Sequence, residues 1–130
     1  MVTVTMIDET GIGNITLEKI QTFNAAKLSL REVIRQRVLA EVTEFNARQP
    51  KVFQGLVEPG ETEILLNQSK SKQRKPLDWE RQFNRAVQAF EARTFIVLAD
   101  DQQLDDLDEV LELSKIKELS FLKLVPLVGG

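Results

Sequence analysis

The sequence predicts an α+β fold, and three observations lead there: a glycine-punctuated pair of alternating strands at the start, one long capped amphipathic helix after it, and two apolar strand-like runs in the last third. At 130 residues, with 42% hydrophobic and 28% charged residues, the chain has the length and composition of a single folded domain with one core.

Val2-Thr3-Val4-Thr5-Met6-Ile7 is β-branched and alternates apolar with polar. Gly11-Ile12-Gly13-Asn14 then offers positions tolerant of positive φ before Ile15-Thr16-Leu17 resumes the alternation, which together read as a β-hairpin. The glycine pair does not make a phosphate loop, because the dinucleotide fingerprint needs a third glycine and an immediate helix.

Ser29-Leu30-Arg31-Glu32 has capping-box spacing and starts the helix. Leu30, Val33, Ile34, Val38, Val42 and Phe45 recur at three- and four-residue steps and form the face that packs on the hairpin, with Arg31, Arg35, Glu41 and Glu44 elsewhere on the wheel.

Residues 49 to 76 lose that regularity. Pro50, Pro59-Gly60 and the polar run from Asn67 to Pro76 mark an excursion with few core candidates. The cations Lys70, Lys72, Arg74 and Lys75 read as a solvated loop ahead of a contact with an acidic partner or nucleic acid. Asp78 caps a second helix whose Trp79, Phe83, Ala86, Val87 and Phe90 share one stripe, a core or docking face rather than a cofactor box.

Thr94-Phe95-Ile96-Val97-Leu98-Ala99 is the pattern of a central strand covered on both sides. The expectation that follows is that the helix of Trp79, Phe83, Val87 and Phe90 covers the outer face of the sheet; left exposed, the same stripe becomes a partner surface. The acidic run Asp100 to Glu109 lacks the glycine and alternating ligands of a helix-loop-helix calcium site, so a solvated turn and a short helix are expected. A last strand, residues 119–125, runs into Pro126-Leu127-Val128-Gly129-Gly130.

The net charge of −3 and pI near 5.1 argue against nucleic acid as the main partner. No apolar stretch has the length of a membrane span. The chain contains neither cysteine nor histidine, which removes disulfides, thiolate chemistry, the commonest general base and the commonest metal ligand, and sets the expectation of a non-enzyme in the cytoplasm that binds no cofactor or metal.

Hairpin, long helix, strand, acidic turn with Leu104 and Leu107, and a final strand ending in Gly129-Gly130 form an order of elements that resembles the ubiquitin-like β-grasp family. The segment from Phe95 to Gly130 is similar to the second half of ubiquitin in length and layout, and the first 46 residues in layout alone. The tail Val125-Pro126-Leu127-Val128-Gly129-Gly130 is closer to the sulfur carriers, particularly the small subunit of molybdopterin synthase. The resemblance implies one ubiquitin-like domain over 1–130, a mixed sheet packed on one long helix, with a helical insertion over 49–93 before the third strand and a tail over 125–130. The sequence departs from both branches by that insertion, and from ubiquitin in lacking basic tail residues and a corner lysine, where Asp100 and Asp101 stand.

For function the resemblance implies a protein modifier: an ATP-dependent activating enzyme adenylates the Gly130 carboxylate, and the acyl group passes, with or without a conjugating enzyme, to a target amine. The alternative fate is a thiocarboxylate that serves a sulfur-accepting enzyme. A third reading, from another class, is a β-grasp interaction module whose diglycine is incidental. ATP is used by the activating enzyme, and the chain itself is its substrate. Gly129 and Gly130 permit close backbone approach to a nucleotide, Pro126 lowers the entropy lost on binding, and Leu127 and Val128 supply apolar contacts. From Leu124 to Gly130 the extended chain spans about 20 Å, enough to thread a buried site from outside it.

Overall fold

The computed structural model describes residues 1–11, 13–48, 55–59 and 76–124; the tail residues Pro126 to Gly130 and the cations Lys70 to Lys75 lie outside them. The elements in chain order are β1 (Val2–Thr10), β2 (Asn14–Phe23), β3 (Lys27–Ser29), α1 (Leu30–Arg48), α2 (Trp79–Glu91), β4 (Phe95–Ala99), β5 (Gln102–Leu104), β6 (Val110–Glu112), a 3₁₀ turn (Leu113–Lys115) and β7 (Glu118–Lys123). Five strands form one mixed sheet in the order β2-β1-β7-β4-β5. Within it β7 runs parallel to β1, and the other neighbours are antiparallel. β3 and β6 make a separate antiparallel pair.

The first hairpin is longer than its sequence signal. β2 continues to Phe23 beyond the expected Leu17, with a register shift at Asp8/Glu9, and Gly11 and Gly13 both adopt positive φ between the strands. The second hairpin, β4 to β5, turns on Asp100 and Asp101, both at positive φ between the paired Ala99 and Gln102. That is the arrangement of a two-residue turn, with the aspartates filling positions glycine or asparagine usually take. The acidic run therefore yields a turn and a three-residue strand instead of the expected turn and short helix.

α1 begins where its sequence places it. The Ser29 hydroxyl accepts the Glu32 N–H at 3.1 Å, while Leu30 and Arg31 donate their N–H groups to the Glu109 and Leu107 carbonyls at 2.9 and 2.8 Å. The loop before β6 thus caps the helix from outside and satisfies donors that no helical carbonyl can reach. The Glu32 carboxylate turns to Arg35, whose Nε donates to both oxygens and whose Nη2 donates to Oε2, rather than back to Ser29.

Alternation along the strands assigns one face to the core. Val4, Met6, Val97, Leu119 and Phe121 point inward against Leu30, Val33, Ile34, Val38 and Val42 of α1. One helix about 10 Å across cannot cover five strands spaced about 4.8 Å apart, so the inner face needs a second element. α2 supplies it. Ala86 is fully buried, Phe90 stacks edge-on against inward-pointing Phe95 at 5.9 Å, and the Arg35 guanidinium of α1 lies over the Trp79 ring at 5.6 Å. The Asn46 side chain pairs both ways with the Leu77 backbone, at 2.8 and 3.0 Å, and fixes the approach to α2. This corrects the expectation that the second helix covers the outer face: Trp79, Phe83, Val87 and Phe90 pack on the same side as α1.

Candidate functional site

The predicted tail leaves from β7, a strand held on both edges by β1 and β4, and the described chain ends at Leu124, whose N–H donates to the Thr94 carbonyl at 2.9 Å. Around this root the inner face changes character. β1 continues its inward alternation from Val4 and Met6 to Asp8, a carboxylate 2% exposed, and α1 presents Arg37 and Glu41 one turn apart on its buried stripe.

Arg37 is fully buried and organises the cluster. Its two terminal nitrogens donate to the two Asp8 oxygens at 2.7 and 2.6 Å, Nε and Nη2 donate to Glu41 Oε2 at 3.3 and 3.2 Å, and the guanidinium lies 4.5 Å from the Phe121 ring centroid. Burial works against its charge, yet the bonds to Asp8 and the charges of Glu41 and Asp8 outweigh it and hold the guanidinium above its ordinary pKa. Two amines sit at the edges: Lys19 Nζ is 3.8 Å from Glu41 Oε2, and Lys123 Nζ is 3.9 Å from Asp8 Oδ2. Burial pulls Lys19 below the usual lysine pKa, partly offset by Glu41.

The cluster also reaches into the insertion. Glu41 Oε1 accepts the Leu56 N–H at 3.1 Å, and Lys123 Nζ donates to the Gly55 carbonyl at 3.0 Å. Gln82 and Arg85 of α2 donate to the Val57 and Glu58 carbonyls that follow, at 3.0 and 2.9 Å. Residues 55–58 therefore form a strap across α1, α2 and the end of β7, and Leu56 enters the core. Strap, α2, the start of β4 and the end of β7 enclose an open cleft of about 500 Å³, with Leu124 on its wall.

Of the residues singled out by sequence, Trp79, Phe83, Val87 and Phe90 are brought together on α2, half-buried against the core. Pro126, Leu127, Val128, Gly129 and Gly130 lie outside the described residues, so the site is read from its root. Glu41, assigned to the outer part of the helical wheel, is instead buried. Sequence reasoning missed Asp8, Lys19, Arg37 and Lys123 as well. A signal existed for two of them: Arg37 falls between Ile34 and Val38 on the apolar stripe, and Asp8 follows Val4 and Met6 in the alternation.

The outer face contrasts with this. Ile7, Ile20, Leu122, Ile96 and Leu98 share it by register, Ile20 is 69% exposed, and the charged side chains placed on it by register among the described residues are Glu9, Glu18 and Glu118. The acidic corner beyond β4 is a fastening: Asp100 accepts the Lys117 and Glu118 N–H groups at 3.0 Å each, which pulls its pKa below the ordinary value. Among the described residues no group of three or more His, Cys, Asp or Glu side chains is placed to hold a metal ion, and no helix is long and apolar enough to cross a membrane. No protein-family model and no curated protein matches this chain.

Proposed function

We propose that the chain is a ubiquitin-like β-grasp protein modifier, whose Gly130 carboxylate is adenylated by an activating enzyme and transferred to a target amine. The observation that carries this reading is the place of the last strand. β7 lies centrally in a mixed sheet, parallel to the first strand and packed under one long helix, so the residues after Leu124 leave a firmly held strand and end in Gly129-Gly130. A rigid root with a short, narrow end suits delivery of one carboxylate into another protein's site.

The chemistry follows from the leaving group. A free carboxylate is a poor acyl donor, whereas its acyl adenylate expels AMP when a nucleophile attacks; ATP supplies that group and releases pyrophosphate. Attack by a thiol and then a lysine amine gives an isopeptide, and attack by a sulfur donor gives a thiocarboxylate, the sulfur-carrier alternative. Pro126 and the apolar Leu127 and Val128 favour that second fate. The interaction-module reading has its own support in the outer face around Ile20, over which no helix of the described residues lies and whose acidic rim suits a basic partner.

The test is intact mass after incubation with ATP and a cognate activating enzyme. An adduct on a target lysine supports the modifier, and a sulfur-for-oxygen gain at Gly130 supports the carrier. Removing Gly130 is expected to abolish either product and to leave the thermal midpoint within about 1 °C, since a terminal residue contributes little packing. Retained transfer by the truncated chain sinks the proposal.

A further inference from the structure

We infer that Lys123 is a positioning residue for the tail, and that it works through the inserted strap: the amine grips the strap from the strand that carries the tail, so that strap and tail root hold or loosen together. This deepens the reading of Gly130 as the reactive end and rests on it.

The grip falls on a single peptide unit. The C=O of Gly55 and the N–H of Leu56 belong to one amide, and each is taken by an ionised side chain from a different element, Lys123 of β7 and Glu41 of α1. Both side chains are fixed in turn by the buried cluster. Glu41 is bound by Arg37 and faced by Lys19, while Lys123 lies 3.9 Å from Asp8, which Arg37 holds from the other side. Asp8, Glu41, Arg37, Lys19 and Lys123 are thus one connected set, and the Gly55–Leu56 amide joins it at both ends. A hydrogen bond to a charged group is stronger than one between neutral groups, so this is a firm point of attachment.

Lys123 is also the last residue of β7. Its neighbour Leu124 makes the last described main-chain bond before the tail, to Thr94. An amine that is about one-third exposed, with an apolar core beside it and free water on the other side, keeps its inward orientation because the Gly55 carbonyl and Asp8 are there to receive it. Loss of the strap leaves that amine to turn toward solvent and frees the end of β7 to fray back from Leu124. A partner that engages the strap or α2 therefore acts on the tail without touching it, which gives the 49–93 insertion a regulatory role in the same site.

Amide hydrogen exchange followed by NMR tests this on the whole chain with no activating enzyme, so its outcome is separate from that of the transfer reaction. In Lys123→Met, the Leu56 and Leu124 amides are expected to exchange about tenfold or more faster, the scale of one lost charged hydrogen bond, while Met6 in β1 keeps its rate. Lys123→Arg restores both, since it retains a donor at the same place. The decisive variant is Gln82→Met, which removes the strap's bond at Val57 while Gln82 makes no hydrogen bond to β7 among the described residues; it is expected to speed Leu124 about threefold or more, as coupled groups loosen together. Because Gln82 is buried with Oε1 lacking a partner among the described residues, the methionine is tolerated there. An unchanged Leu124 rate in Gln82→Met, with Leu56 accelerated, overturns the inference; so does failure of Lys123→Arg to restore either amide.

Discussion

The two faces of the central sheet share strands, register and twist, yet they have different fates. On the inner face α1 and α2 lie side by side, and the apolar packing includes an arginine that is fully buried between Asp8 and Glu41. On the outer face Ile20 stands largely in water, and Ile7, Ile96, Leu98 and Leu122 are grouped with no helix of the described chain above them. The difference teaches that an insertion widens the layer that already exists when that layer is too narrow for its sheet. One helix left the β4 side of the inner face open, and burial of Phe95 and Val97 there rewards a second helix on that side.

The largest test of this contrast is at Arg37. Replacing it with leucine leaves Asp8 and Glu41 facing each other in the core, and removal of one partner from a buried pair typically costs about 3–5 kcal/mol. Urea unfolding followed by Trp79 fluorescence reads the loss. A change within about 1 kcal/mol means that the two carboxylates take up protons or water without disturbing the fold, and the cluster is then no more than a polar inclusion.

A second, smaller test stays within one strand. Leu119 and Leu122 both belong to β7, but Leu119 is fully buried on the inner face and Leu122 is half-buried on the outer one. Leu119→Ala is expected to cost about 2–5 kcal/mol, and Leu122→Ala no more than about half as much, because solvent fills the space it vacates. Equal losses in denaturant midpoints mean that the outer face is covered in solution, and the comparison of faces fails.

Local chemistry was the part of the fold most legible in the sequence. The hairpin, the Ser29 start of α1 and the Asp78 start of α2 are each decided by a few neighbouring residues, and each is realised: Asp78, for instance, accepts the Glu80 N–H at 3.0 Å. The placement of α2 was not legible, because a stripe of Trp79, Phe83, Val87 and Phe90 states that one side is apolar and leaves open which apolar surface meets it. Glu41 was misassigned for a related reason. Helical spacing puts it beneath Phe45 and above Arg37, but charge suggests solvent, and burial is tolerable because Arg37, four residues earlier, donates to one of its oxygens while the Leu56 N–H, fifteen residues on, donates to the other. Three-residue strands such as β3, β5 and β6 carry too few alternations to register at all. As for the tail, its residues were named from sequence, while the strap and Lys123 that hold its root arise from contacts across 68 positions of chain.

The smallest expected effect contrasts the enclosed acids with an open one. Asp100 lies at the corner beyond β4, fully exposed, and its carboxylate accepts the N–H groups of Lys117, just before β7, and of Glu118, its first residue. Those two bonds favour the charged form, so its pKa in the folded chain lies below the ordinary 3.8. The sign follows: Asp100 contributes its stabilisation at pH values above 3.8 and loses it as pH falls through the lower, folded value. NMR titration of the Lys117 and Glu118 amides should show a midpoint beneath 3.8. Asp100→Asn keeps a residue that tolerates positive φ but offers one acceptor oxygen in place of two, so it should remove that titration and weaken one of the two amide bonds at every pH. A midpoint at or above 3.8 in the parent chain means that solvent competes away the fastening, and the acidic corner then does nothing to hold the strand that leads to the tail.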